Sequence, residues 1–219
     1  MEFDLDKARI NMIEQQIRPW DVLDQRVLDT IAAIPREDFV PPAWRNLAFA
    51  DFGIPLGHGQ LMMEPKLEAR MLQELEIGPD DHILEIGTGS GYVTACLAHL
   101  GREVDSVEIH EDFSTEATGR LRRASIANAT LLTGDAASGW DSGKRYDVIA
   151  VTGSLPEYQA VFENSLVTGG RLFVIVGEPP AMTALLVSRA SETEFTRSRL
   201  FETVLPPLEN AVKPAEFVF

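Results

Sequence analysis

Leu84-Glu85-Ile86-Gly87-Thr88-Gly89-Ser90-Gly91-Tyr92 is the stretch that decides the fold of this chain. The run Ile83–Ile86 is apolar apart from Glu85 and breaks into glycines at every second position. A helix-like segment, Tyr92–Leu100, follows at once. A strand turning sharply over glycines into a helix offers bare backbone N–H groups to a ligand, with no Cβ to block its approach. Open α/β sheets bind nucleotide-sized ligands at such turns, on the carboxyl edge of the parallel strands.

Outward from this turn, strand-like and helix-like runs alternate. The strand-like runs are His82–Ile86, Val104–Ile109, Thr130–Thr133, Tyr146–Thr152 and Arg171–Val176. Val148-Ile149-Ala150-Val151 is wholly apolar, as a strand buried on both faces should be. The alternation predicts an α/β fold with a Rossmann-like, doubly wound, mostly parallel sheet. Two further runs, Ala184–Val187 and Phe201–Val204, predict a C-terminal antiparallel hairpin turning near Ser191–Thr193 and bring the sheet to seven strands. Leu205-Pro206-Pro207-Leu208 and the tail to Phe219 read as irregular.

Before the turn the pattern is helical. Leu5, Ala8, Met12, Ile13 and Ile17 recur at helical spacing. Val27, Leu28, Ile31 and Ile34 predict a second helix, capped by Asp24 and stopped by Pro35. Asp38–Glu64 reads as irregular, and Pro65 opens a helix with Leu67, Met71, Leu72 and Leu75 on one face. The expected organisation is a helical cap and covering loop over residues 1–78 and a ligand-binding domain over 79–219, forming one compact unit.

Bulk properties narrow the function classes. The 219 residues carry 34 acids and 19 bases, a formal charge of −15, so nucleic acid is not an expected partner. Arg120, Arg122 and Arg123 form the one tight basic cluster and read as a solvated helix face. The single cysteine, Cys96, lies among Val93, Leu97 and Leu100 and reads as a core thiol. His58, His82, His99 and His110 show no metal-ligand spacing, so no metal is expected. The N-terminus lacks a cationic apolar signal and no 18-residue apolar run exists, which predicts a cytoplasmic protein without a membrane partner.

The glycine spacing G-x-G-x-G departs from the G-x-G-x-x-G of dinucleotide folds and resembles motif I of S-adenosylmethionine (SAM)-dependent methyltransferases. In that setting Glu85 is expected to meet the cofactor's ammonium. Glu108, 17 residues past Gly91, ends the second strand and is placed to accept both ribose hydroxyls. Asp135, at the end of the third strand, is expected to meet the adenine amino group. Gly87, Thr88, Gly89, Gly91, Ile109, Ala136, Thr152 and Gln60 complete the expected cofactor-binding set.

The wider chain resembles the protein-L-isoaspartate O-methyltransferase family. The matching segments are Pro35-Arg36-Glu37-Asp38-Phe39-Val40-Pro41, Ile54-Pro55-Leu56-Gly57-His58-Gly59-Gln60, Pro65 with Ala69-Arg70-Met71, the glycine motif, and Gly169-Gly170-Arg171-Leu172. The resemblance implies methyl transfer from SAM, leaving S-adenosylhomocysteine, to the α-carboxylate of isoaspartyl residues in a protein or peptide, by a monomer or homodimer. A carboxylate is already ionised at neutral pH, so this chemistry needs no strong base. His58 and Gln60 are the expected catalytic residues of the covering loop. Two departures stand out: Leu61 and Met63 occupy positions where the family carries hydroxyls that orient the substrate carboxylate. They leave open two alternatives, a small or less charged acceptor, or a catalytically silent SAM-binding protein.

Overall fold

The structure is a computed structural model that describes residues 4–213. Residues 214–219, the end of the tail read above as irregular, lie outside the described residues. Helix α1 (Leu5–Met12) is capped by the Asp4 carboxylate and runs on through a wider turn to Trp20. Helix α2 (Gln25–Ala33) takes its cap from Asp24, whose side chain accepts from the Arg26 N–H. The stretch expected to be irregular instead holds a small antiparallel hairpin, β1 (Ile54–Gly57) and β2 (Gln60–Met62). Strands of four and three residues are too short to show alternation in the sequence. Helix α3 (Pro65–Glu74) follows with Pro65 in its first turn.

From here the expected alternation is observed: β3 (His82–Ile86), α4 (Tyr92–Leu100), β4 (Glu103–Glu108), α5 (Glu111–Arg123), β5 (Ala129–Thr133) and β6 (Tyr146–Leu155). A single turn, α6 (Val161–Asn164), leads to β7 (Leu166–Val176), and β8 (Met182–Arg189) and β9 (Phe195–Thr203) complete the sheet. Its order is β5-β4-β3-β6-β7-β8-β9, with the first five of these parallel and the last two antiparallel. The C-terminal hairpin is longer than its apolar cores suggested, because its outer strand has an exposed face whose polar residues hide the pattern.

Winding reverses where β3 lies between β4 and β6, and a crevice opens there at the carboxyl ends of the strands. One continuous core joins the N-terminal helices to the sheet: Ile17, Leu28, Phe39 and Met71 belong to the same buried cluster as Ile83, Cys96 and Phe173. Cys96 is fully buried, which pushes its thiol well above the ordinary range. Among the described residues no helix is long and apolar enough to cross a membrane.

Candidate active site

The crevice holds an open cavity at the carboxyl ends of the strands. Its floor is the glycine turn between β3 and α4. Gly87, Gly89 and Gly91 all have φ between 51° and 97°, a region that side chains rarely adopt. At Gly87 a Cβ would also fall 2.6 Å from the Thr152 Oγ1. That hydroxyl lies 2.9 and 2.5 Å from the carbonyls of Ile86 and Gly87, to which it donates, so β6 pins the turn. At Gly91 a Cβ would meet the Ala117 side chain at 3.0 Å, so glycine lets α5 close against the turn.

Eight of the expected residues line this one cavity: Gln60, Gly87, Gly89, Glu108, Ile109, Asp135, Ala136 and Thr152; Leu61, one of the two departures, joins them. Glu108 is fixed from both sides. Its Oε2 accepts from the Gly89 N–H at 2.8 Å and its Oε1 from the His110 N–H at 3.0 Å. One carboxylate therefore holds the glycine turn against the end of β4. The Asp135 Oδ1 accepts from the Ala137 N–H, and its Oδ2 accepts from the Asn210 side chain at 2.8 Å.

Glu85, expected to meet the cofactor's ammonium, stands apart, and its Oε1 has no hydrogen-bond partner among the described residues. It is fully buried beneath the turn and does not line the cavity. Its Oε2 accepts from the Thr94 hydroxyl at 2.5 Å and the Ser106 hydroxyl at 2.6 Å, and Ser106 in turn lies 2.6 Å from the Thr88 hydroxyl. Burial, opposed by these two hydroxyls, pushes its pKa up to about 8. An acid whose folded-state pKa exceeds its unfolded value of 4.5 binds more protons folded than unfolded between the two. Its contribution to stability is therefore full below about pH 4.5 and is lost as the pH rises towards 8. Glu85→Gln should flatten the fall in unfolding free energy across that window. Urea melts at several pH values check this, and an unchanged slope would contradict it.

The two expected catalytic residues part company. Gln60 lines the cavity and donates weakly to the Pro207 carbonyl at 3.4 Å. His58 sits outside it on the rim, with its Nε2 2.9 Å from an Asp112 carboxylate oxygen and its ring stacked on His110 at 3.9 Å. His58, His110 and Asp112 thus bring three metal-ligating side chains within 4.8 Å of one another. Their distance in sequence hides the cluster from any spacing rule, although the parallel rings cannot aim two lone pairs at one point.

A second, smaller cavity of about 280 Å³ adjoins the first across Leu56, Leu61, Gly87, Gly89 and Thr152. Its remaining walls include Met63, Glu68, Thr88 and Ser90. Leu61 is 38% exposed at its mouth, whereas Met63 is 4% exposed in its wall. Behind them lies a buried ion pair between Arg36 and Glu68, the first 1% and the second 2% exposed. Arg36 also donates to the carbonyls of Ala48 and Met63, both at 2.7 Å, and lies over the Tyr92 ring.

Sequence reasoning missed several of these residues. Arg120 is not on a solvated face: it is 9% exposed, and its guanidinium reaches the Ser90 carbonyl at 3.2 Å and Glu116 at 2.8 Å. Leu208 and Glu209 wall the cavity, because the Ser154 N–H donates to the Pro206 carbonyl and the Leu208 N–H to the Ser154 carbonyl, laying the tail over the end of β6. The Leu205-Pro206-Pro207-Leu208 signature marked that segment as irregular without showing where it docks.

Comparison with known proteins agrees with this geometry. The family description "Protein-L-isoaspartate(D-aspartate) O-methyltransferase (PCMT)" matches residues 7–212. A protein-L-isoaspartate O-methyltransferase from Koribacter versatilis (strain Ellin345) is 36% identical over 206 residues, 94% of this chain and 91% of the relative. Two solved structures share the fold, each with a TM-score of 0.78. One, a β-aspartate methyltransferase (PCMT) structure from Plasmodium falciparum in complex with S-adenosyl-L-homocysteine, is 18% identical and aligns over 95% of this chain and 99% of its own. The other, a protein-L-isoaspartate O-methyltransferase, is 22% identical over 96% of this chain and 67% of its own. Family-wide coverage of the sequence, joined to a glycine-floored crevice walled by Glu108 and Asp135, leads to one conclusion: the chain belongs to the protein-L-isoaspartate O-methyltransferase family of O-methyltransferases.

Proposed function

We propose that this chain transfers a methyl group from SAM to the α-carboxylate of isoaspartyl residues in proteins or peptides. The observation that carries the proposal is the junction of the two cavities. The larger one, with Glu108 and Asp135 at the strand ends, suits a nucleoside, and the smaller one opens from it across Gly87, Gly89 and Thr152. When bound, SAM supplies an electrophilic methyl on its sulfonium. The protein's part is to hold an oxygen in line with that methyl and to keep water away.

In this proposal Glu108 accepts the ribose hydroxyls, Asp135 receives the adenine amino group, and Gly87, Gly89, Ile109, Ala136 and Thr152 shape the cavity around them. Gly91 and Thr88 hold the turn. Gln60 ties the covering loop to the C-terminal segment at the Pro207 carbonyl, and His58 secures the same loop from the rim. The hydroxyl missing at Leu61 and Met63 is supplied by Ser90, which lines the smaller cavity with them, whereas the Thr88 hydroxyl is held by Ser106. No base is required, since the acceptor carboxylate carries no proton at neutral pH. The segment 1–78 acts as the cover of the 79–219 domain, in a cytosolic monomer or homodimer without a nucleic-acid or membrane partner. The −15 charge supports the exclusion of nucleic acid.

A second reading is favoured by one observation, the exposed Leu61 at the acceptor mouth, which suits a less charged acceptor. Mass spectrometry separates the two. An isoaspartyl peptide incubated with enzyme and SAM should gain one methylene unit in a base-labile ester, and its aspartyl twin should gain none. Modification of neither peptide would overturn the proposal and favour the second reading.

A further inference from the structure

Leu61 is the side chain at the acceptor mouth that methyl transfer itself does not use. Among the described residues seven large apolar side chains are exposed, and of these Leu61 alone lines either of the two cavities. It borders both, so it stands where they meet. A leucine offers a carboxylate no hydrogen bond, and its exposed surface gains only when something apolar covers it.

The apolar surface continues along the hairpin. In the register of β1 and β2, Leu61 stands opposite Pro55, and directly opposed residues share one face of an antiparallel pair. Pro55 is exposed and lines neither cavity. The two side chains therefore form an apolar strip that begins where the cavities meet and leads outward, away from the space a cofactor fills. Gly53 flanks it closely: a Cβ there would fall 3.1 Å from the Leu61 Cδ1.

An acceptor carboxylate at this junction brings its own polypeptide across the strip. In an isoaspartyl residue the α-carbon carries both the reactive carboxylate and the N–H that joins the preceding residue. The following residue is attached through the β-carbon and the side-chain carboxyl. The preceding side chain is thus one bond nearer to the carboxylate than the following one. Building on the isoaspartyl reading above, we infer that Leu61 and Pro55 seat the side chain of the residue preceding the isoaspartate, so that this chain selects substrates with an apolar residue there. The contact is remote from the transferred methyl and equal before and during transfer, so it acts on KM rather than on kcat.

The test uses isoaspartyl peptides that differ by leucine or serine at one position, either before or after the isoaspartate. Leucine before it should give a KM about tenfold lower than serine at similar kcat, the effect of bringing one apolar side chain out of water onto a partly open surface. Calorimetric affinity for the protein saturated with S-adenosylhomocysteine should change by the same factor. The same exchange after the isoaspartate should change KM by about twofold at most, since that side chain does not reach the strip. Leu61→Ala should shrink the preference to about twofold, and an exposed position of this kind tolerates the change without unfolding. Equal KM and equal affinity for leucine and serine before the isoaspartate, or a preference that Leu61→Ala keeps in full, overturn the inference and leave the isoaspartyl reading standing. Failure to methylate any of these peptides, with S-adenosylhomocysteine binding intact, overturns that reading and the inference with it.

Discussion

Glu108→Ala is expected to weaken S-adenosylhomocysteine binding at least a hundredfold. The carboxylate lines the cavity and in the free protein accepts from the Gly89 and His110 N–H groups. Two ribose hydroxyls bonded to one charged group contribute about 1.5–3 kcal/mol each. Even the lower figure, taken twice, corresponds to more than two decades in affinity. The loss is compounded because alanine also frees the glycine turn from the end of β4, so the remaining N–H groups are less well placed. Glu108→Gln should lie between the two, since an amide has one acceptor oxygen where the carboxylate has two. Calorimetric titration gives the numbers directly, and an affinity within threefold of the unaltered protein would remove Glu108 from the site.

The second large effect concerns Arg36. Arg36→Ala leaves Glu68 buried without its partner, and because burial already drives that carboxyl up to about 8 against the pull of Arg36, it must take up a proton. Breaking a buried pair from one side costs about 3–5 kcal/mol, which in a chain of this size lowers Tm by about 10 °C. Two backbone carbonyls, of Ala48 and Met63, lose their donors as well. Arg36→Met combined with Glu68→Val should recover most of that loss, because removing both charges also removes the desolvation they incur. Calorimetric melting of the single and double variants tests the pair. A double variant no more stable than Arg36→Ala would show that the pair is not what holds this wall together.

The parts of this molecule legible in sequence were those with a local signature. Glycine spacing gave the turn, because positive φ at three positions admits few other residues, and the acid at the end of β4 follows from the short length of one strand–helix–strand unit. Asp24 marks a helix start through a bond made within one turn of chain, and Pro65 marks another through its fixed φ in the first turn. The burial of Glu85 was hidden for a related reason. Strand alternation alone does not say which face of β3 looks towards the ligand, and only packing with Thr94 and Ser106 decides it. Arg120, Glu68, His110 and the Leu208–Glu209 wall were invisible because their partners lie 30 or more residues away, on elements whose docking has no local code. Leu61 and Met63 were recognised as departures, yet that Ser90 lines the same cavity could be found only in three dimensions.

The claim on which the rest depends is that the methyl acceptor stands beside Leu61 and Met63, where the two cavities meet. The chain has six methionines, so a methyl-labelled spectrum is simple enough to assign, and Met63 is the one in the cavity wall besides its neighbour Met62. Met12, Met71 and Met182 are buried elsewhere in the core and serve as internal references. With S-adenosylhomocysteine bound, titration of an isoaspartyl peptide should shift the Met63 methyl resonance saturably and leave those three unmoved. Saturable binding that perturbs none of the cavity methyls would place the acceptor elsewhere and contradict the account.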